Sequence, residues 1–82
     1  MKKFLFLPGV PTEIRAIAQP VAIGILKAIH RYAETGRGDV KPLSGELDGL
    51  LRLRVGRHRV LFEETHEVIV IHHVRPRKNA YQ

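Results

Sequence analysis

Six arginines and one lysine form two clusters in the second half of the chain, and their side chains suit the binding of phosphate. The segment RLRVGRHR, residues 52–59, holds four arginines, and the final segment VRPRKNAYQ adds Arg75, Arg77 and Lys78. A guanidinium presents a planar fork of N–H donors that matches phosphate oxygens, and clustered guanidiniums repel one another unless an anion is bound. The two clusters therefore predict a binding site for a polyanion.

Composition and charge agree with such a partner. The 82 residues include 14 Lys and Arg against 8 Asp and Glu, which gives a net charge of +6. Exposed cations attract phosphates or carboxylates at long range, so a nucleic acid or an acidic protein is the expected partner. The absence of cysteine excludes disulfides and thiolate zinc sites. The length predicts a single domain, residues 1–82, with one modest core.

The apolar segments of the chain are too short for a membrane. The start, MKKFLFLPGV, has two lysines before an apolar run, but that run ends at Pro8. A signal peptide needs about 7–15 apolar residues and a membrane span about 20. The second apolar segment is interrupted by Gly24 and Lys27. We therefore predict a cytoplasmic protein with no membrane association.

Hydrophobic periodicity predicts an α+β fold with the element order βααβββ. Residues 2–7 alternate as a strand, residues 12–18 and 20–36 have apolar residues at helical spacing, and 39–49 form a short extended segment and a turn-rich loop. The period then changes to two, which predicts strands at 50–55, 58–63 and 68–74. Two N-terminal helices would pack on a small, mainly antiparallel sheet.

Strand alternation sorts the hairpin side chains onto two faces of the sheet. Successive side chains of a strand point to opposite faces, so one face packs on the helices and the other carries the arginines. The basic face is predicted to hold Arg52, Arg54, Arg57 and Arg59. The same alternation predicts partly exposed apolar residues beside them, namely Leu50, Leu61, Ile69 and Ile71. Such a mixed surface indicates that a partner segment covers part of this face.

These segments resemble a known family. GLLRLRVGRHRVLFEE, followed by VIVIHHVRPRKNAY, is similar to the C-terminal half of the RelE/ParE toxin superfamily of bacterial toxin–antitoxin pairs. That family has an L-x-G loop, here Leu43-Ser44-Gly45, and a basic tail ending in tyrosine, here residues 76–81. The resemblance extends over residues 43–81 and, by layout alone, over the N-terminal half. It implies the same βααβββ fold.

The resemblance implies two different activities. RelE-like members cleave messenger RNA on the ribosome without a metal or cofactor, whereas ParE-like members inhibit DNA gyrase and need no catalytic residues. A tyrosine shortly after a basic tail residue is the RelE-like pattern, which Arg77 and Tyr81 supply. We therefore predict a metal-independent endoribonuclease; the alternatives are a gyrase inhibitor and a degenerate member that only binds its antitoxin.

The resemblance also implies roles for individual residues. Arg59 and Arg77 would hold the phosphate oxygens, and Tyr81 would orient the 2′-hydroxyl or stack on a base. Arg52 and Leu50 occupy the positions of two active-site lysines of RelE. Neither replacement can act as a base, because the pKa of arginine is above about 12 and leucine has no titratable group. Further RNA contacts would come from Arg54, Arg57, Arg75 and Lys78.

A histidine near these arginines is the expected general base. Histidine titrates near neutrality, at about 6.5, and the candidates are His58, His72 and His73. His73 falls on the predicted face of Arg75 and is the first choice. No metal site is expected among these residues.

Partners follow from the same resemblance. A toxin of this kind is held by a cognate antitoxin, commonly an acidic and partly disordered segment that folds on binding. The expected assembly is a homodimer or a toxin–antitoxin heterotetramer, and the ribosome and messenger RNA are the expected targets.

Overall fold

The computed structural model describes residues 2–81 as two helices on one face of a five-stranded sheet. The helices are α1 (Val10–Arg15) and α2 (Gln19–Thr35), and short 3₁₀ helices cover Gly45–Leu47 and Arg77–Asn79. The strands are β1 (Lys3–Phe6), β2 (Asp39–Pro42), β3 (Leu51–Val55), β4 (His58–Glu64) and β5 (Val68–Pro76). In the sheet they are ordered β1-β5-β4-β3-β2, with β1 parallel to β5 and the other pairs antiparallel.

The predicted α+β class is confirmed, with one additional strand. Residues 39–42, expected as an extended segment, pair antiparallel with β3, so that Asp39 lies opposite Arg54 and Lys41 opposite Arg52. The full element order is therefore βααββββ. Strand β2 matters for the site because it places charged side chains beside the arginines of β3.

Helix α2 carries the apolar face that covers the sheet. Its buried residues recur every three or four positions: Ala22, Ile25, Ile29 and Ala33. Pro20 suits the first turn, where a missing N–H has no intrahelical acceptor to lose. The helix ends at Gly36, whose φ of 75° permits a left-handed cap with its amide donating to the Tyr32 carbonyl. No helix within residues 2–81 is long and apolar enough to cross a membrane.

The core lies between α2 and one face of the sheet. Strand residues Leu53, Val60 and Phe62 meet the apolar face of α2, and Val10 of α1 is also fully buried. Phe62 packs edge-on against the ring of Tyr32, with a centroid distance of 5.4 Å. This core fixes the central strands, and with them the orientation of the opposite, open face.

The expectation that Leu61, Ile69 and Ile71 are partly exposed is wrong, since each is only 1% exposed. A β-bulge at His72 is the reason for the two isoleucines: Leu61 pairs with His73, but the next residue, Phe62, pairs with Ile71. The extra residue reverses the alternation of β5, so its isoleucines join the core while His73 stays on the open face. Leu61 lies on the open face and is nevertheless buried.

Helix α1 lies against β5 at the point where β1 ends. Strand β1 pairs with β5 only between Lys3–Phe6 and Val68–Ile71, which leaves the later part of this edge without a neighbouring strand. There the Glu13 carboxylate of α1 accepts the backbone N–H of Val74 at 3.0 Å. A side chain thus replaces a sheet hydrogen bond and joins α1 to the strand that leads into the C-terminal tail.

Candidate anion-binding site

The open face of the sheet presents arginines in register across three strands. Arg54 of β3 pairs with Arg59 of β4, which pairs in turn with Arg75 of β5. The adjacent row consists of Arg52, Leu61 and His73. Like charges directly opposite one another across a sheet are destabilising. The arrangement therefore costs stability unless anions lie among the guanidiniums.

Arg59 is the most constrained of these side chains. Among residues 2–81 it is the one buried charged residue, with 7% exposure. Its Nη1 donates to the carbonyls of Gly56 at 3.1 Å and His58 at 2.9 Å, in the turn that joins β3 to β4. Gly56 makes this turn with a φ of 59°, which favours glycine. These contacts hold the guanidinium in place without neutralising it, because carbonyls carry no net charge.

The C-terminal tail is attached to this turn. The backbone N–H of Arg77 donates to the Arg57 carbonyl at 2.8 Å, and Ala80 is 1% exposed. The short 3₁₀ helix Arg77–Asn79 directly precedes Ala80. This attachment brings the two tail residues expected in the site, Arg77 and Tyr81, beside the strand arginines.

The strand and tail residues enclose a cleft of about 310 Å³, which we call the arginine cleft. Its lining consists of Arg52, Arg54, Arg59, Arg77 and Tyr81. Among residues 2–81, four guanidiniums and one phenol line it, and no carboxylate does. Within residues 2–81 the side chains of Arg54, Arg77 and Tyr81 form no hydrogen bond or ion pair with the protein. The cleft thus offers unused donors to an anion.

Arg52 is partly neutralised at one side of the cleft. Its Nη1 donates to the Asp39 carbonyl at 3.1 Å and lies 3.4 Å from Asp39 Oδ1. The side chain is 12% exposed, against 51% for that of Asp39. Strand β2 therefore orients Arg52, and the pairing is weak because Asp39 is largely in solvent.

Arg75 is neutralised at the other edge of the sheet. Its Nε donates to Glu13 Oε2 at 2.5 Å, and the same oxygen lies 3.4 Å from His73 Nδ1. Burial raises the pKa of Glu13, but the hydrogen bonds from Arg75 and Val74 and the charges of Arg75 and His73 outweigh it, so the pKa lies below its ordinary value. Arg75 does not line the arginine cleft.

The structure separates the remaining predicted residues from the cleft. Arg57 lies in the exposed turn after β3, and Lys78 is exposed on the 3₁₀ helix.

The candidate histidines also lie outside the cleft. His73 shares the open face with Arg75, as predicted, but Leu61 lies between it and Arg52. His72 is the bulge residue, bound to Glu63 at 2.8 Å, and none of the three candidate histidines lines the cleft.

His58 lies on the helix-facing side of the sheet. It borders another cavity, together with Glu13, Val74 and Arg75. No group of three or more His, Cys, Asp or Glu side chains within residues 2–81 is arranged to hold a metal ion. The groups that line the arginine cleft are guanidiniums and a phenol.

Sequence reasoning did not identify Glu13 and Asp39, the two carboxylates that pair with arginines of the open face. Glu13 is separated from Arg75 by 62 positions, and no local pattern links them. Asp39 is 13 positions from Arg52, and its contact with Arg52 depends on the pairing of β2 with β3, which the sequence analysis did not predict.

Comparison with known proteins identifies the fold. No family model and no curated protein sequence matches this chain. Among solved structures, the RelBE2 toxin–antitoxin complex from Mycobacterium tuberculosis matches with a TM-score of 0.81 and 22% identity, over 93% of this chain and 98% of that chain. The archaeal RelE–RelB complex from Pyrococcus horikoshii gives a TM-score of 0.77 and 22% identity, over 96% and 98%.

A more distant sequence has the same architecture. A mutant of YafQ from E. coli matches with a TM-score of 0.79 and 8% identity, over all of both chains. The protein therefore has the fold of RelE-type toxins, which the sequence resemblance predicted.

Proposed function

We propose that this protein is the toxin of a type II toxin–antitoxin pair and a metal-independent endoribonuclease that cleaves messenger RNA on the ribosome. The observation that carries the proposal is the arginine cleft, in which four guanidiniums and Tyr81 converge and which no carboxylate of residues 2–81 lines. The RelE-like fold supports it. Cytoplasmic localisation is part of the same proposal.

The proposed reaction is attack by the RNA 2′-hydroxyl on the adjacent phosphate. The 2′-hydroxyl gives up its proton as its oxygen bonds to phosphorus, the P–O bond to the 5′-oxygen of the next nucleotide breaks, and that oxygen takes up one proton. The products are a 2′,3′-cyclic phosphate and a 5′-hydroxyl end, with no net gain or loss of protons. Negative charge increases on the phosphate oxygens as the new bond forms. Arg59, whose guanidinium is held by the turn carbonyls, supplies preorganised charge at this point, and Arg77, whose backbone is attached to the turn, supplies a second guanidinium.

Tyr81 and the proton acceptor complete the proposal. The Tyr81 side chain is 45% exposed at the cleft, so its ring is available to stack on a base or to bond the 2′-hydroxyl. His73 is the proposed general base because it lies on the open face in the row of Arg52; since Leu61 lies between them, the proposal requires the 2′-hydroxyl to lie over Leu61. Removing a general base costs about 10²–10⁴ in rate, so unchanged cleavage by His73→Gln would exclude this assignment.

The proposed partner is a cognate antitoxin. The structural neighbour from M. tuberculosis is a toxin–antitoxin complex, that from P. horikoshii is a RelE–RelB complex, and a YoeB–YefM toxin–antitoxin pair from Staphylococcus aureus is a heterotetramer. A net charge of +6 suits an acidic antitoxin segment. We propose a similar toxin–antitoxin assembly here, with a homodimer as the alternative.

The test uses two adjacent tail residues. Wild-type protein, Arg77→Ala and Lys78→Ala are added to a translating extract, and new 5′-hydroxyl RNA ends are mapped, with and without ribosomes. Both substitutions remove one positive charge, but only Arg77 lines the cleft. We expect cleavage within translated codons by the wild type and Lys78→Ala, and a loss of about 10²–10³-fold in Arg77→Ala.

Three results would overturn the proposal. Equal cleavage by all three proteins would remove the arginine cleft from the reaction. Growth arrest in cells whose messages stay intact would instead favour the gyrase-inhibitor alternative, and no arrest at all would favour a degenerate toxin that binds only its antitoxin.

A further inference from the structure

A second basic surface adjoins the arginine cleft and has no role in the reaction proposed above. It is a groove of about 430 Å³ between α2, the α2–β2 turn and β3, which we call the basic groove. Its charged lining consists of Lys27, Arg31, Arg37, Asp39 and Arg54. Asp39 is the one acidic residue among the lining residues, and its carboxylate faces Arg52. The groove therefore carries an excess of positive charge.

The cations of this groove are not held by protein carboxylates. Lys27 and Arg31 are exposed and one helical turn apart on α2, so their Cβ atoms are about 5–6 Å apart. Within residues 2–81 the side chains of Lys27, Arg31 and Arg37 form no ion pair. Elsewhere on the molecule, Lys2 binds Glu64 and Arg75 binds Glu13. In the arginine cleft, Arg54, Arg59 and Arg77 likewise form no ion pair within residues 2–81, whereas Arg52 is paired with Asp39.

The backbone around Arg37 is well defined. Gly36 has a φ of 75°, and the Arg37 amide donates to Thr35 Oγ1 at 3.1 Å. A Cβ added to Gly38 would lie 2.8 Å from Leu53 Cδ1, so any other residue there would require the buried Leu53 side chain to shift. The sequence Gly-Arg-Gly therefore positions Arg37 at the end of the groove.

Arg54 connects the two surfaces, because it lines both the arginine cleft and the basic groove. A chain of phosphates that leaves the cleft past Arg54 meets Lys27, Arg31 and Arg37 next. We infer that the basic groove binds the phosphates of single-stranded RNA flanking the nucleotide held in the cleft. This inference rests on the proposed function, since it assigns the RNA its path across the molecule.

The experiment compares two variants of equal charge. Lys27→Gln/Arg31→Gln removes two cations from the groove, and Lys3→Gln/Arg15→Gln removes two exposed cations from β1 and α1, which line neither surface. Fluorescence anisotropy measures the binding of 2′-O-methyl RNA, which lacks the attacking hydroxyl. The probes are a trinucleotide and an oligonucleotide of about twelve nucleotides, which is within the usual site size for single strands.

The groove variant is expected to bind the longer RNA about tenfold more weakly at low salt, while its affinity for the trinucleotide stays that of the wild type. Each lost phosphate contact lowers the slope of log affinity against log salt by about 0.7, so the slope should fall by about 1.4. The control variant should retain nearly the wild-type slope. Melting curves of both variants verify that they are folded.

Two outcomes would overturn the inference. If both double variants weaken binding equally, net charge is responsible and the groove is not a contact. If the groove variant binds the longer RNA as tightly as the wild type, the RNA follows another path. The proposed function fails separately, through the loss of any difference in cleavage between Arg77→Ala and Lys78→Ala.

Discussion

Arg59 and Arg75 lie opposite each other in the same row of the sheet, yet their surroundings differ completely. Arg75 is bound by the Glu13 carboxylate of α1, whereas the buried Arg59 side chain, within residues 2–81, is bound only by the turn carbonyls of Gly56 and His58. A carboxylate satisfies a guanidinium within the folded protein, whereas neutral carbonyls orient it and leave its charge for a ligand. The fold thus neutralises Arg75 at one end of the arginine row and leaves the charge of Arg59, in the middle of the row, without a carboxylate partner among residues 2–81.

The largest effect on cleavage is expected from replacing Arg59, which has no carboxylate partner within residues 2–81. Arg59→Met should lower RNA cleavage by about 10²–10³-fold, because it removes preorganised charge from the cleft. The free energy of unfolding should change by less than about 1 kcal/mol, since the substitution also removes repulsion and a buried charge. Cleavage assays and chemical denaturation measure the two quantities. A loss of stability above about 3 kcal/mol would show that Arg59 is mainly structural.

The opposite pattern is expected for Arg75, which is paired with Glu13. Arg75→Met leaves the half-buried Glu13 carboxylate without its charged donor and should lower the free energy of unfolding by about 1–2 kcal/mol. Cleavage should stay close to wild type, because Arg75 lies outside the cleft. Denaturation and cleavage are measured on the same protein preparation. Loss of cleavage with unchanged stability would reverse the roles assigned to the two arginines.

Acid should destabilise the paired region. The pKa values of Glu13 and Glu64 are lowered from their ordinary value of 4.5, in each case because hydrogen bonds and nearby positive charge outweigh burial, which raises them. A carboxyl with a lowered folded-state pKa contributes stability above the unfolded-state value and loses it as pH falls through the folded-state value. The free energy of unfolding should therefore decrease below about pH 4.5. Glu13→Gln should flatten part of that decrease, and an unchanged profile would contradict the pairing.

High pH should destabilise the folded protein through ionisation of Tyr32. This hydroxyl donates to Glu64 Oε1 at 2.6 Å, and burial, that hydrogen bond and the Glu64 charge raise the pKa of Tyr32 to about 12. Its contribution to stability is complete below the ordinary value of 10 and is lost as pH rises toward 12. The free energy of unfolding, measured between these two pH values, should decrease in the wild type and decrease less in Tyr32→Phe. Equal profiles would show that Tyr32 does not titrate with folding.

The smallest effect concerns the exposed pair beside the cleft. Asp39→Asn removes the one carboxylate bound to a cleft arginine within residues 2–81 and should change stability by less than about 0.5 kcal/mol. Affinity for RNA should rise about twofold, because a negative charge near Arg52 is lost. Anisotropy at low salt is the appropriate measurement. Weaker binding would mean that Asp39 helps to orient Arg52 more than it repels RNA.

Most of the architecture could be predicted from local sequence patterns. Helical spacing in α2 and alternation in the hairpin gave the α+β fold and placed Arg52, Arg54 and Arg59 on one face. The bulge at His72 could not be predicted, because VIVIHHV is apolar on either face and both registers are compatible with its composition. That one extra residue explains why Ile69 and Ile71 are in the core.

The site was predictable only in part, because its contacts are distant in sequence. The family resemblance pointed to Arg59, Arg77 and Tyr81, which the turn and the tail bring to one cleft. The pairing of Glu13 with Arg75 depends on α1 lying where β1 ends, which is a property of the tertiary structure. The same limit applies to His73, whose distance from the cleft is set by the position of Leu61 on the intervening strand.

The most direct test is a titration of protein labelled with nitrogen-15, following the arginine Nε–H signals as non-cleavable 2′-O-methyl RNA is added. The arrangement of charges predicts that the signals of Arg59 and Arg77 shift on binding while that of Arg75, held by Glu13, changes least. If the Arg75 signal shifts most and that of Arg59 stays unchanged, the anion site lies at the helix edge of the sheet, and the assignment of the arginine cleft is contradicted.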